Sequence, residues 1–249
     1  MSPLVEMHGL HKTFGGVHAV KDVSLDIERG EVVGLLGHNG AGKSTLMALL
    51  AGALRPDSGE LRVDGRSVAI RSPRDARALG IETLYQDLAL ADNLPAGANL
   101  FLGRELTGPL GLLDEAAMER TAREVIEGIN PAFSDFRSPV ALLSGGERQS
   151  IAIARAVHFE ARVLVLDEPT AALGPAESRQ VGDLIRRLRD KGLAIVLVSH
   201  DLHDVLKLSD RVVVMKSGRV VGRHPTHEIS SEQLLQLILT GDALAPVSA

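Results

Sequence analysis

The 249-residue chain contains no cysteine, which excludes a disulfide framework and any thiolate metal site and suits a reducing compartment. No apolar run approaches the roughly 20 residues that a membrane-spanning helix needs. The longest are six residues, among them Leu193 to Val198, the size of a strand. The opening residues carry Glu6, His8 and His11 and no extended apolar core, so no leader peptide is expected there. An excess of basic residues is missing too. The 27 Lys and Arg stand against 32 Asp and Glu, net -5, which argues against wrapping nucleic acid. Internal repeats and low-complexity tracts are also lacking. Together these absences predict a soluble protein that meets a membrane only through a partner.

What is present is 45% hydrophobic and arranged as short apolar runs alternating with helical patterns. That alternation predicts an α/β fold with a mostly parallel sheet. Residues Leu4 to Ile27 read instead as strands joined at Gly15 and Gly16, an antiparallel β edge. A buried strand over Glu31 to Gly37 is followed by a helix over Thr45 to Ala51. Further strands are expected at Leu61 to Val63 and Ile81 to Tyr85, with a helix capped by Ser72 and Pro73 between them. From Asp87 to about His158 strand signals vanish, and Asp114 caps an amphipathic helix over Glu115 to Ile126. The α/β pattern then resumes with strands at Arg162 to Leu166, Leu193 to Ser199, Arg211 to Met215 and Arg219 to Val221, and a helix at Pro175 to Asp190. The organisation expected is a nucleotide-binding core (1–86 and 159–223), an inserted helical subdomain (87–158), and a C-terminal helix with a frayed Ala/Pro/Ser tail (224–249).

Gly37, His38, Asn39, Gly40, Ala41, Gly42, Lys43, Ser44 and Thr45 match the pattern G-x-x-x-x-G-K-[ST] between a strand and a helix. Such glycines let successive backbone N–H groups curl round phosphates, and the helix dipole adds positive potential. Lys43 would reach the β and γ phosphates of ATP, and the Ser44 hydroxyl would ligate Mg2+. His38 is given a backbone contact only. An apolar strand ends in Asp167 and Glu168, whose side chains should face opposite ways. Asp167 is placed to hold the metal shell, and Glu168 to orient and deprotonate a water. His200, Asp201, His203 and Asp204 could suggest a metal cluster, but no further ligand set accompanies them.

Leu143, Ser144, Gly145, Gly146, Glu147, Arg148 and Gln149, opening a helix, resemble the signature loop of ABC ATPases. Physically this is a second anion site at a helix N-terminus, with Ser144, Gly145, Gly146 and Glu147 as its donors and cap. The resemblance covers about residues 4 to 223, about nine-tenths of the chain, with the motifs in order. It implies a P-loop NTPase fold with an antiparallel edge and an inserted helical subdomain. Phe14 stands where the family stacks an aromatic ring on adenine. Gln86 matches the loop glutamine that touches the metal site and couples to the permease, and His200 matches the histidine at the γ-phosphate. One departure stands out. The run Ala172, Leu173, Gly174 has glycine where the family usually places an aspartate that reaches across the dimer.

The stretches from Tyr85 to Leu94, Asn99 to Glu105 and Glu168 to Gly174 look like the ATPases of bacterial monosaccharide importers of the ribose, fructose and xylose class. That resemblance implies a head-to-tail homodimer enclosing two ATP molecules, each between the Lys43 loop of one copy and the Ser144 loop of the other. Membrane permease subunits and, indirectly, an extracytoplasmic sugar-binding protein would be its partners. The chain would lie at the cytoplasmic face of the membrane. An ABC ATPase serving other cargo shares every ATP motif. A repair or translation ATPase would carry long coiled coils or paired cassettes with a charged linker, and a GTPase switch an Asn-Lys-x-Asp motif. None of these features is found.

Overall fold

The structure, a computed structural model, describes residues 3–171 and 173–241. The expected fraying of the tail, and Ala172 in the departing run, lie outside the described residues. The chain divides into two compact units. One comprises residues 1–83, 162–168 and 187–249, and the other residues 84–161 and 169–186.

The first unit holds two sheets. β1 (Val5–Phe14) and β2 (Val17–Ile27) form an antiparallel hairpin that turns at Gly15 and Gly16. β4 (Ser58–Val63) pairs antiparallel on the other side of β1, and β5 (Arg66–Val68) completes the order β2-β1-β4-β5. β5 is three residues long and mostly exposed, too short and polar to show a strand pattern in sequence. The second sheet runs β10-β9-β3-β8-β7-β6. Its centre is β3 (Val32–Leu36), parallel to β8 (Ala194–Val198) on one side and to β9 (Arg211–Lys216) on the other. β7 (Val163–Asp167) runs parallel to β8, β6 (Ile81–Leu84) forms one edge, and β10 (Arg219–Pro225) returns antiparallel at the other.

Every residue of β3 and β8 is buried. A strand covered on both faces cannot alternate, so these two read as unbroken Val, Leu and Ile runs. Each such side chain contributes about 1.5–3 kcal/mol on burial, before the entropy of ordering is subtracted. The core that results joins both sheets: Val33, Leu35, Val165, Val196 and Val213 pack with Leu4, Val5, Met7, Leu10, Val23 and Leu25. α1 (Lys43–Leu50) adds Leu46, Met47, Leu49 and Leu50 to it. α2 (Pro73–Ala78) starts at the expected cap, Ser72 Oγ accepting from Asp75 N at 3.3 Å.

The second unit is helical: α3 (Ala96–Leu100), α4 (Glu115–Ile129), α5 (Gly145–His158) and the start of α6 (Pro175–Asp190). Asp114 caps α4, and Met118, Ala122, Ile126 and Ile129 form its buried stripe at helical spacing. The loop before α3 has no regular structure, yet it is tightly held. The buried Asn99 side chain accepts from Ala91 N at 2.7 Å and donates to the carbonyls of Ala91, Leu94 and Pro95 at 3.0, 3.1 and 3.2 Å. Arg155, on α5, donates to Leu88 and Ala89 carbonyls at 3.3 Å each. These bonds supply partners to a half-exposed loop backbone, and they hold residues 88–95 in place without a strand or helix.

Two further helices lie in the first unit, α7 (Leu202–Leu208) and α8 (Ser231–Thr240). Asp201 caps α7, accepting from His203 N at 2.8 Å and Asp204 N at 3.3 Å. Its carboxylate is thus committed to the helix end. Among the described residues no helix is long and apolar enough to cross a membrane.

Candidate active site

In the first unit the segment from Gly37 to Thr45 leaves β3 and enters α1. Two of its glycines are obligatory. Gly37 has φ +151, and a Cβ there would lie 2.3 Å from the Met215 carbonyl; Gly42 has φ +105, and its Cβ would lie 2.3 Å from the Ala19 carbonyl. No L side chain fits either position. The loop is braced by Ala41 N donating to His38 O at 3.0 Å and by Gly218 N donating to Ala41 O at 2.9 Å. Lys43 Nζ turns into the loop, donating to Gly37 O at 2.5 Å and His38 O at 3.2 Å. The His38 ring meets its own loop at the Asn39 carbonyl, 2.6 Å from Nδ1.

A cavity of about 620 Å3 opens above this loop, lined by Asn39 to Thr45 and by Gly16, Val17, His18, Ala19, Lys21 and Ser217. Phe14 stands outside the lining as an exposed residue at the tip of the β1–β2 turn, with Lys12 Nζ 5.7 Å from its ring centre. The contribution of Gly16, Val17, His18, Ala19, Lys21 and Ser217 to the cavity wall was not legible in sequence. They are ordinary strand and turn residues that reach the phosphate loop through packing between the two sheets, where Lys21 N donates to Gly218 O at 2.7 Å.

Asp167 ends β7, half-buried, and its register partner is Val198 on β8. Glu168 follows with φ +53, a left-handed conformation uncommon for glutamate. That turn, rather than strand alternation, sets the direction of its side chain. Glu168 Oε1 lies 2.8 Å from His200 Nδ1, and Ser199 Oγ donates to Glu168 Oε2 at 3.4 Å. The two residues that sequence assigned separate tasks therefore meet as a pair, with Ser199 as an unanticipated third member. Glu168 also raises the His200 pKa, through their hydrogen bond first and its charge second.

Lys43, Asp167 and Glu168 share one electrostatic neighbourhood. Burial lowers the Lys43 pKa, opposed by the charges of Glu168 and Asp167. Burial raises that of Asp167, Glu168 raises it further, and Lys43 lowers it. A half-buried carboxyl crowded by a second one gains from a cation beside it. Ser44 and Asp167 are oxygen donors, the type that a hard divalent ion such as Mg2+ takes together with substrate phosphates. The donor chemistry therefore fits Mg2+.

Gln86 and the Ser144 loop belong to the second unit. Gln86 is exposed, in the loop after β6. Ser144 caps α5 through a reciprocal box: Ser144 Oγ accepts from Glu147 N at 3.3 Å, and Glu147 Oε2 accepts from Ser144 N at 2.9 Å. Gly145 packs against Leu173, whose Cδ2 would lie 2.5 Å from a Cβ there and would have to turn aside. Ser150 Oγ donates to Gly146 O at 2.8 Å and steadies the first turn.

Residues 20–171 match the family model described as ABC transporter. The xylose/arabinose import ATP-binding protein XylG of Sulfolobus acidocaldarius is 42% identical over 248 residues, covering 100% of this chain and 98% of the relative. Ribose import ATP-binding protein RbsA 1 of Rubrobacter xylanophilus is 48% identical over 223 residues, 90% of this chain but only 44% of the relative, so the chain spans about half the length of that protein. Among solved structures, the ADP conformation of an ATP-binding cassette, MJ1267, superposes with TM-score 0.80 at 22% identity over 96% of both chains. The protein cbiO1 of Clostridium perfringens, part of the ABC transporter complex cbiONQ, does so with TM-score 0.78 at 28% identity over 96% of both chains. The phosphate cradle on a mostly parallel sheet, the acid pair beside it and the extent of these similarities lead to one conclusion: the chain belongs to the ABC transporter family and is an ATP-hydrolysing cassette.

Proposed function

We propose that the chain energises import of a monosaccharide, a pentose in the first instance, through membrane permease subunits at the cytoplasmic face of the membrane. Similarity at 42% over essentially the whole length to a relative named for xylose and arabinose import is the observation that supports this cargo class. No side chain here would touch the sugar. The cargo would be selected by the permease and an extracytoplasmic binding protein.

The chemistry falls to a few residues. Lys43 turns from the carbonyls of Gly37 and His38 to the β and γ phosphates, while Val17 takes the base side of the cavity and Phe14, outside its lining, is left free to cover the base. Mg2+, held by Ser44 and Asp167, would neutralise charge on the phosphate oxygens. Glu168, oriented by His200 and Ser199, accepts the proton of the attacking water as its oxygen bonds to the γ phosphorus and the bond to the β-phosphate oxygen breaks. His200 then holds a proton close to the departing phosphate. Ser144, Gly145, Gly146 and Glu147 supply a second set of donors at the start of α5. In our reading they face the nucleotide of a second copy, so only a head-to-tail homodimer completes the site and closure gates hydrolysis.

The test is reconstitution with a cognate permease and binding protein. ATP turnover should rise when xylose, arabinose or ribose is added outside. If no sugar stimulates turnover while another solute does, the cargo assignment is wrong and the ATPase assignment stands.

A further inference from the structure

We propose that Glu177 occupies, from within its own chain, the phosphate position of the Ser144 loop, and so sets the ATP concentration at which two copies close. The inference rests on the reading that this loop grips the nucleotide of a second copy.

Glu177 is the third residue of α6 and lies in the same unit as α5. Its Oε2 accepts from Gly174 N at 3.0 Å, which is one half of an ordinary capping box. Its other oxygen goes beyond that role: Oε1 accepts from Gly146 N at 3.4 Å. The packing is close as well, since a Cβ on Gly146 would stand 3.4 Å from both Cβ and Cγ of Glu177. Gly174, Gly146 and the Ser144 hydroxyl, in that order, hold the carboxyl below the usual range, so it is anionic at neutral pH. Glu177 thus spans two chain segments, 173–177 and 144–147, and places a negative charge where α5 presents its N-terminal donors.

A backbone N–H has one hydrogen. Gly146 N cannot serve Glu177 and an incoming phosphate together, and two anions at one helix end repel each other. A nucleotide arriving from a second copy must therefore displace Glu177. Position 174 adds no charge beside this carboxylate: a Cβ there would make only an ordinary contact, 3.7 Å from Oε2, whereas an aspartate would bring a second carboxylate close to the first. The glycine that departs from the expected pattern thus spares Glu177 that repulsion.

The experiment uses the full chain carrying Glu168→Gln, with ATP-dependent dimerisation followed by light scattering. Adding Glu177→Gln preserves length and an acceptor oxygen but removes the charge. The ATP concentration for half-maximal dimerisation should fall about fivefold, the size of one charge at a helix N-terminus, with the unfolding midpoint unchanged. Glu177→Asp still caps α6 but is too short to bridge both segments, and it should lower the threshold likewise if the glutamine variant folds poorly. An unchanged or higher threshold in a folded variant overturns the role of Glu177. Absence of any ATP-dependent dimer in Glu168→Gln itself would overturn the two-copy reading, and this proposal with it.

Discussion

The unit built on β3, β7 and β8 is packed by Val, Leu, Ile and Met, and Phe14, its sole phenylalanine, is exposed. In the helical unit the other four phenylalanines join the aliphatic packing: Phe101 meets Phe159 edge-on at 6.2 Å, Phe133 meets Phe136 at 4.8 Å, and Phe101 also meets the His158 ring at 5.1 Å. The polar bonds differ in the same way. Parallel strands satisfy the backbone of the first unit, whereas single side chains, Asn99 and Arg155, satisfy the loop of the second. Order maintained by a ladder is redundant, but order maintained by one amide is not. The comparison predicts that the second unit is the easier to open.

The largest effect expected tests where the chemistry resides. Glu168→Gln should keep ATP binding and lower turnover by about 10²–10⁴-fold, the span of a lost general base, as read by a phosphate-release assay. Wild-type turnover in that variant would place the base elsewhere. Next comes the contrast in redundancy. Asn99→Ala removes the acceptor of the part-buried Ala91 N–H and the donor to three carbonyls, so it should cost about 2–3 kcal/mol. Amide exchange should quicken throughout residues 84–161 and little in β3 and β8. Val196→Ala, costing about 1–3 kcal/mol by cavity formation, should do the reverse. Equal loosening of both units by either variant would break the comparison.

A pH series sharpens it further. Burial lowers the pKa of His158 from its ordinary 6.5, so the unfolded chain binds the proton more readily. Stability of the second unit should therefore fall as pH drops through about 6.5, and His158→Phe should remove that dependence in urea titrations. The smallest effect concerns Arg123, which is exposed with Glu119 and Glu127 each 3.6 Å away. Arg123→Ala should change stability by less than about 0.5 kcal/mol, although the ring of Phe136 beneath its guanidinium adds a little packing.

The same contrast governs what was legible in sequence. β3, β7 and β8 announce themselves as apolar runs because both faces are covered, and the glycines and Lys43 form a contiguous motif. The helices α4 and α5 carry their caps, Asp114 and Ser144, at the expected positions. α3 escaped notice because five residues cannot show a period, and the ordering of residues 88–95 because it depends on Asn99 and on Arg155, more than 60 residues away. At the site, the loop and the acid pair were readable. The left-handed turn at Glu168, its pairing with Ser199 and His200, and the reach of Glu177 to Gly146 are long-range contacts that no local pattern encodes.

Cross-linking tests the central claim most directly, because the chain has no native cysteine to confuse it. One preparation would carry Asn39→Cys beside the phosphate loop and another Leu142→Cys just before the Ser144 loop, both in the Glu168→Gln form. Mixed with ATP and a short bis-maleimide, they should yield a cross-linked pair that neither preparation forms efficiently alone and that disappears without nucleotide. ATP bound to both preparations with no such pair would contradict the account of one nucleotide gripped by two copies.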